Sequence, residues 1–92
     1  INAVISDLSP QVTGNWSVDH SIQISLNYDA VKIMEQVLAK KGNAIFKVFD
    51  GEYSNEFYEH LKKKFLKTKL TKPKSSRKPS SEVYCVCLGY IG

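Results

Sequence analysis

Apolar positions recur along this chain at two different periods, and the switches between them predict its elements. Ala3-Val4-Ile5 is a short apolar run that gives way to Ser6-Asp7-Leu8-Ser9-Pro10. Pro10 pushes Ser9 out of helical space, so the chain leaves a strand into a loop, and Asp7 falls at or just past that strand's C-terminal end. Gln11 to Ser17 reads as loop with a turn at Thr13-Gly14; Trp16 within it is either a hydrophobic plug or a stacking platform. From Asp19 to Lys40 the period becomes helical: Ile22, Leu26, Ala30, Ile33 and Val37 follow one another at three or four residues and form one apolar stripe. Asp19 or Ser17 suits the cap at its start, and Gly42 the left-handed cap at its end.

Ala44 to Gly51, A-I-F-K-V-F-D-G, is dense in apolar residues and bounded by Gly42-Asn43 and Asp50-Gly51. Such a run predicts a strand buried on both faces. Lys47 sits inside it. A lysine there is costly to desolvate, so it either snorkels from an edge strand or serves as a site lysine at the mouth of an α/β sheet. A second helix is expected from about Ser54 to Leu66, with Tyr53, Phe57, Leu61 and Phe65 on one face. Its glutamates lie near the start and its lysines near the end, which suits the helix dipole. Thr68 to Lys72 alternates like a strand. Lys72 to Ser81 is a basic loop kept non-helical by prolines and serines, and Glu82 to Tyr90 is a final, interior strand. Strands separated by helices imply right-handed crossovers and a parallel sheet, while the last two strands, joined without a helix, pair antiparallel. The result is half of a three-layer sandwich with an unprotected edge at its first strand, a pairing hazard that argues for a missing upstream part.

Charge is distributed unevenly. His60 to Lys78 carries nine Lys/Arg and no acidic residue, while the remainder carries four basic and nine acidic side chains. That asymmetry favours a polyanionic partner over a merely solvated face. No apolar run approaches the roughly 20 residues of a membrane span. The start has no basic n-region, cleavage site or initiator Met. Cys85 and Cys87 lie one residue apart with no second pair for zinc, and read as packed thiols in a reducing cytosol.

Three stretches in order, I-S-D-L-S-P-Q-V-T-G, G-N-A-I-F-K-V-F-D-G and K-P-K-S-S-R-K-P-S-S-E-V-Y, span essentially the whole chain. Together they resemble the C-terminal half of the FtsJ-type RNA 2′-O-methyltransferases. The resemblance implies an α/β fold: the second half of a Rossmann-like S-adenosylmethionine-dependent methyltransferase sheet, mostly parallel with a C-terminal antiparallel hairpin. Residues 1–92 would be the C-terminal part of a single domain whose N-terminal cofactor-binding half is absent. Asp7 would lie beside the methionine end of S-adenosylmethionine, Lys47 would be the catalytic lysine, and Glu82 the glutamate opening the last strand. The family's other lysine, its glycine-rich cofactor loop and its ribose-binding carboxylate have no counterpart in this sequence; the five glycines make no G-x-G-x-x-G.

The implied reaction is 2′-O-methylation of a ribose in RNA, most simply ribosomal RNA, in the cytoplasm. Transfer-RNA enzymes share these motifs, and a basic RNA-binding fragment without catalysis is a separate reading. A lysine acting as base must be neutral near pH 7, whereas Asp7 and Glu82 favour its charged form, so a charged Lys47 that only orients the hydroxyl remains an alternative. Lys72, Lys74, Arg77 and Lys78 would grip phosphates beside the target ribose, giving affinity rather than sequence choice.

Overall fold

The computed structural model describes residues 1–7, 14–71 and 82–92, apart from the side chain of Trp16. Its elements are β1 (Ala3–Ser6), α1 (Trp16–Val37), β2 (Asn43–Phe49), α2 (Ser54–Lys62), β3 (Phe65–Thr71) and β4 (Glu82–Tyr90). They form one four-stranded sheet in the order β1-β2-β4-β3. β1 runs parallel to β2, and β4 is antiparallel to both β2 and β3. The expected mostly parallel start, the antiparallel final hairpin and the open first edge are all present.

Side chains alternate across the sheet. Ala44, Phe46 and Val48 of β2 and Val83, Cys85 and Cys87 of β4 point to one face, where α1 and α2 cover them. Phe46 meets Phe57 of α2 edge-on at 5.8 Å between centroids, and Tyr28 of α1 meets the same Phe57 ring at 5.1 Å. The opposite face is not covered by any described helix. There Ile5 is 76% exposed, Tyr84 and Leu88 are exposed, and Ile45 and Lys47 are half-buried. Among the described residues, helices therefore cover the run from Ala44 on one side only.

Helix α1 departs from expectation in three ways. It begins at Trp16, capped by Asn15, whose side chain accepts from the Val18 N–H at 3.3 Å. Asp19, one of the two expected caps, is instead a buried residue of the first turn. At the other end the left-handed residue is Lys41 (φ 67°), not Gly42. Gly42 is needed for closeness: a Cβ there would lie 2.6 Å from Leu38 Cδ1 and 2.8 Å from the Ala39 carbonyl oxygen. Third, the predicted stripe is not the face that meets the sheet. Ile22, Ile33 and Val37 are exposed, whereas Gln23, Asn27, Val31 and Met34, one position around the helix, are buried.

Helix α2 stops at Lys62 and β3 starts at Phe65, earlier than the sequence spacing implies. Phe65 fits a four-residue helical period with Phe57 and Leu61, but it is claimed by the sheet: it pairs with Tyr90 in register, and the two rings lie 5.4 Å apart.

Candidate functional site

The site forms where β1 ends. Register pairs Ser6 with Phe46, so Asp7 and Lys47 are the next residues on two adjacent parallel strands. Across β2, Lys47 pairs with Tyr84 and Phe49 with Glu82. Glu82 is thus the diagonal neighbour of Lys47 on the same face, within reach of a long side chain. The C-terminal edge of parallel strands, where chains diverge, is the usual ligand rim of an open α/β sheet.

The structure brings together the three residues expected to converge. Lys47 Nζ lies 2.6 Å from Asp7 Oδ1 and 3.5 Å from Glu82 Oε2. The lysine side chain is 13% exposed, whereas Asp7 and Glu82 are open to solvent at 65% and 44%. Lys47 is therefore a mostly enclosed cation whose two counterions line the mouth. The hydrogen bond with Asp7 holds its amine above the usual lysine value; burial works against this, and the charge of Glu82 adds to the rise. In this arrangement the amine is an ammonium, a hydrogen-bond donor with no lone pair to offer.

A second set of residues, not anticipated from the sequence, holds the strand that carries Lys47. Gln23 Nε2 donates to the Lys47 carbonyl at 2.5 Å, and Asn27 Nδ2 donates to the same oxygen at 3.0 Å. Gln23 Oε1 accepts from the Phe49 N–H at 3.1 Å. His20 Nδ1–H donates to the Phe49 carbonyl at 2.8 Å, and its Nε2 accepts from the Tyr53 N–H at 2.9 Å, so these partners select the Nδ1–H tautomer. The His20 ring also stacks on Tyr53, and a Cβ at Gly51 would lie 2.9 Å from it. One signal for these residues was legible: His20, Gln23 and Asn27 are uncharged polar residues three and four apart, a polar stripe that a solvated helix would more often fill with charge.

Lys72, Lys74, Arg77 and Lys78, expected to contact RNA, lie outside the described residues. β3 ends at Thr71 before that segment, and β4 begins at Glu82 after it. Among the described residues no cluster of His, Cys, Asp and Glu is arranged to hold a metal ion, and no helix is long and apolar enough to cross a membrane. Cys85 and Cys87 are buried free thiols 3.9 Å apart, and the interaction between them, with burial, pushes the Cys87 thiol far up. Along the outer side of β1 runs a groove of about 410 Å³, lined by Val4, Ile5, Leu26, Ile33 and Val37 and reaching Asp7.

The family model of FtsJ-like methyltransferases matches residues 1–90. The chain is 72% identical over 92 residues to the ribosomal RNA large subunit methyltransferase E of Nitrosopumilus maritimus, covering all of this chain and 47% of that protein. It is 40% identical to the protein of the same name from Methanocaldococcus jannaschii, of which it covers 38%. A Plasmodium falciparum protein assigned as a ribosomal RNA methyltransferase has a crystal structure that superposes with a TM-score of 0.90 at 32% identity, over all of this chain and 48% of that one. The chain thus spans about half the length of these relatives. It belongs to the FtsJ-like methyltransferase family, and its sheet is a partial Rossmann-like domain.

Proposed function

We propose that this chain is the acceptor-side half of a cytoplasmic S-adenosylmethionine-dependent enzyme that methylates a ribose 2′-hydroxyl in ribosomal RNA. The observation that carries the reading is Lys47, enclosed and held between Asp7 and Glu82 at the end of two parallel strands. The names of the relatives at 72% and 40% identity support ribosomal RNA as the substrate.

Residues 1–92 would form the C-terminal part of one domain. The open edge of β1 and the exposed stripe of α1 support this, because a segment as long as the other half of the relatives would bury them. The residues present fit the methyl donor only in part. Asp7, exposed at the end of β1, suits the donor's methionine end, but the sequence has no glycine-rich phosphate- or nucleoside-binding turn. The remaining contacts belong to the proposed preceding half. When bound, S-adenosylmethionine supplies a methyl group already activated on a sulfonium sulfur.

The protein's own task is then to hold the ribose oxygen and manage its proton. As an ammonium, Lys47 donates a hydrogen bond to that oxygen and fixes its direction, and the hydroxyl proton leaves late, to water at the open mouth of the site, as the oxygen gains the methyl group. Asp7 and Glu82 aim the amine and keep it charged. A role as base requires Lys47 to lose its own proton first, which positive groups from the preceding half would favour. Lys72, Lys74, Arg77 and Lys78 would hold the flanking phosphates, an interaction that weakens steeply with salt. The 2′-hydroxyl itself selects RNA over DNA.

The test is labelled methyl transfer to ribosomal RNA by the full-length protein. Lys47→Ala is expected to lower turnover by about 10²–10⁴-fold while RNA binding persists. Turnover equal to wild type would remove Lys47 from the mechanism; RNA binding with no transfer by either form would leave a non-catalytic binding module.

A further inference from the structure

We propose that Gln23, assisted by Asn27, is a positioning residue for Lys47: its side-chain amide takes the place of a strand neighbour beside β2 and so fixes where the lysine amine sits. The inference rests on the role proposed above for Lys47.

Along a strand, alternate residues turn their N–H and C=O toward the same neighbour. The Asn43 N–H donates to the Asn2 carbonyl at 3.0 Å, so Asn43, Ile45, Lys47 and Phe49 turn their peptide groups toward β1. Pairing with β1 ends at Ser6 and Phe46. The Lys47 carbonyl and the Phe49 N–H therefore lie past the last rung.

Gln23 meets both, donating to one at 2.5 Å and accepting from the other at 3.1 Å. These are the two bonds that the N–H and C=O of one residue of a longer β1 would make. Few side chains have this capacity. Lysine and arginine only donate, ionised carboxylates only accept, and a primary amide does both. Asn27 fills the second lone pair of the Lys47 carbonyl, and its own Oδ1 has no partner among the described residues. Turning that amide over would set oxygen against oxygen. Gln23 and Asn27 are both fully buried, so water does not compete for these bonds.

The substitution has a consequence for the site. Had β1 continued along β2, residue 7 would be a rung of the sheet. Because the strand stops and α1 supplies the bonds, the Asp7 carboxylate is free to turn to Lys47 Nζ at 2.6 Å. His20 continues the same function at the next carbonyl, that of Phe49, and hands the chain on to Tyr53. Helix α1 thus grips β2 from Lys47 to the turn that follows.

The test uses the full-length protein, assayed at a fixed interval below the melting temperature of each variant. Gln23→Met keeps the volume and removes both bonds. It is expected to lower kcat about 100-fold, with KM for RNA and for S-adenosylmethionine changed by less than about twofold. Val31→Ala, buried on the same side of α1 with no polar role, should lower the melting temperature and leave kcat unchanged. On a Lys47→Ala background, Gln23→Met should not reduce the residual rate further, because it acts through the amine. Gln23→Glu keeps the acceptor for Phe49 but sets a carboxylate oxygen against the Lys47 carbonyl; it should lower kcat at least as far as the Met variant, and serves as the probe if the Met variant does not fold. The inference is overturned if Gln23→Met, or Gln23→Glu in its place, costs no more turnover than Val31→Ala, or lowers the Lys47→Ala residual rate by the same factor as it lowers wild type. Wild-type turnover by Lys47→Ala itself would instead overturn the proposed role of Lys47, and this inference with it.

Discussion

Helix α1 turns His20, Gln23, Asn27, Val31 and Met34 toward the sheet and leaves Ile22, Ile33 and Val37 outside. The first face holds hydrogen-bonding groups in its N-terminal half and apolar ones in its C-terminal half. The second face is apolar and exposed at Ile22, Ile33 and Val37, with Leu26 and Ala30 between them partly buried and Ile5 of β1 beside it. In a self-sufficient domain the assignment runs the other way, since apolar area removed from water supplies the main driving force. The contrast shows two different uses of one helix. The sheet-facing side meets the peptide groups of β2 beyond its last pair with β1, and the outward side leaves Ile22, Ile33 and Val37 exposed among the described residues.

That contrast is sharpened first by comparing the two faces under truncation. Phe46, fully buried beneath α1 and α2, is expected to cost about 3–5 kcal/mol when changed to Ala. The measurement is denaturant unfolding of the full-length protein. A loss no larger than that of an exposed residue would mean that the core described here is not the one that stabilises the molecule.

The outward face gives the next largest effect, and its size depends on context. Ile33 is 63% exposed in this chain. Ile33→Asp should change the stability of the 92-residue chain by less than about 0.5 kcal/mol, as surface substitutions do. In the full-length protein it should cost about 2 kcal/mol or more, because the same position would then bury a carboxylate. Equal small effects in both would show that the stripe stays wet, and would break the comparison.

The smallest effects are titrations. Lys47 has its pKa raised in the folded state, mainly by the hydrogen bond with Asp7, so its pairing stabilises the fold fully below the ordinary lysine value and is lost as pH rises through the raised one. Lys47→Met should flatten the alkaline limb of a stability–pH curve. His60 is the opposite case. Burial, helped by the neighbouring Lys64, holds its imidazole below the usual histidine value, so the stability tied to its neutral form is present above that value and declines as pH falls through the lowered one. His60→Gln should remove that acid-side decline and leave the alkaline limb unchanged.

Glu82 was placed with Asp7 and Lys47 only by the family resemblance, whereas the order of elements, the antiparallel final hairpin and a strand-end rim carrying Asp7 and Lys47 were legible in the linear chain. Each follows from local rules: runs and periods set elements, a connection without a helix sets antiparallel pairing, and the ends of neighbouring parallel strands share a rim. Element ends were less legible. Phe65 satisfies a helical spacing and a strand pairing equally well in one dimension, and only its contact with Tyr90 decides between them. Asn15 rather than Asp19 or Ser17 caps α1 because the chain enters the helix three residues sooner, which no local preference distinguishes.

Which face of α1 packs inward was beyond the sequence for a different reason. An apolar stripe states that some surface will cover it, but not whether that surface is in the same 92 residues. What the chain determined by itself is a lysine on a strand, two acids able to reach it, and a cationic stretch before the last strand. What the tertiary structure alone decided is how that lysine is held. The bonds from Gln23 and Asn27 cross 20 or more positions to reach the Lys47 carbonyl, which lies beyond the last pair of β1 with β2.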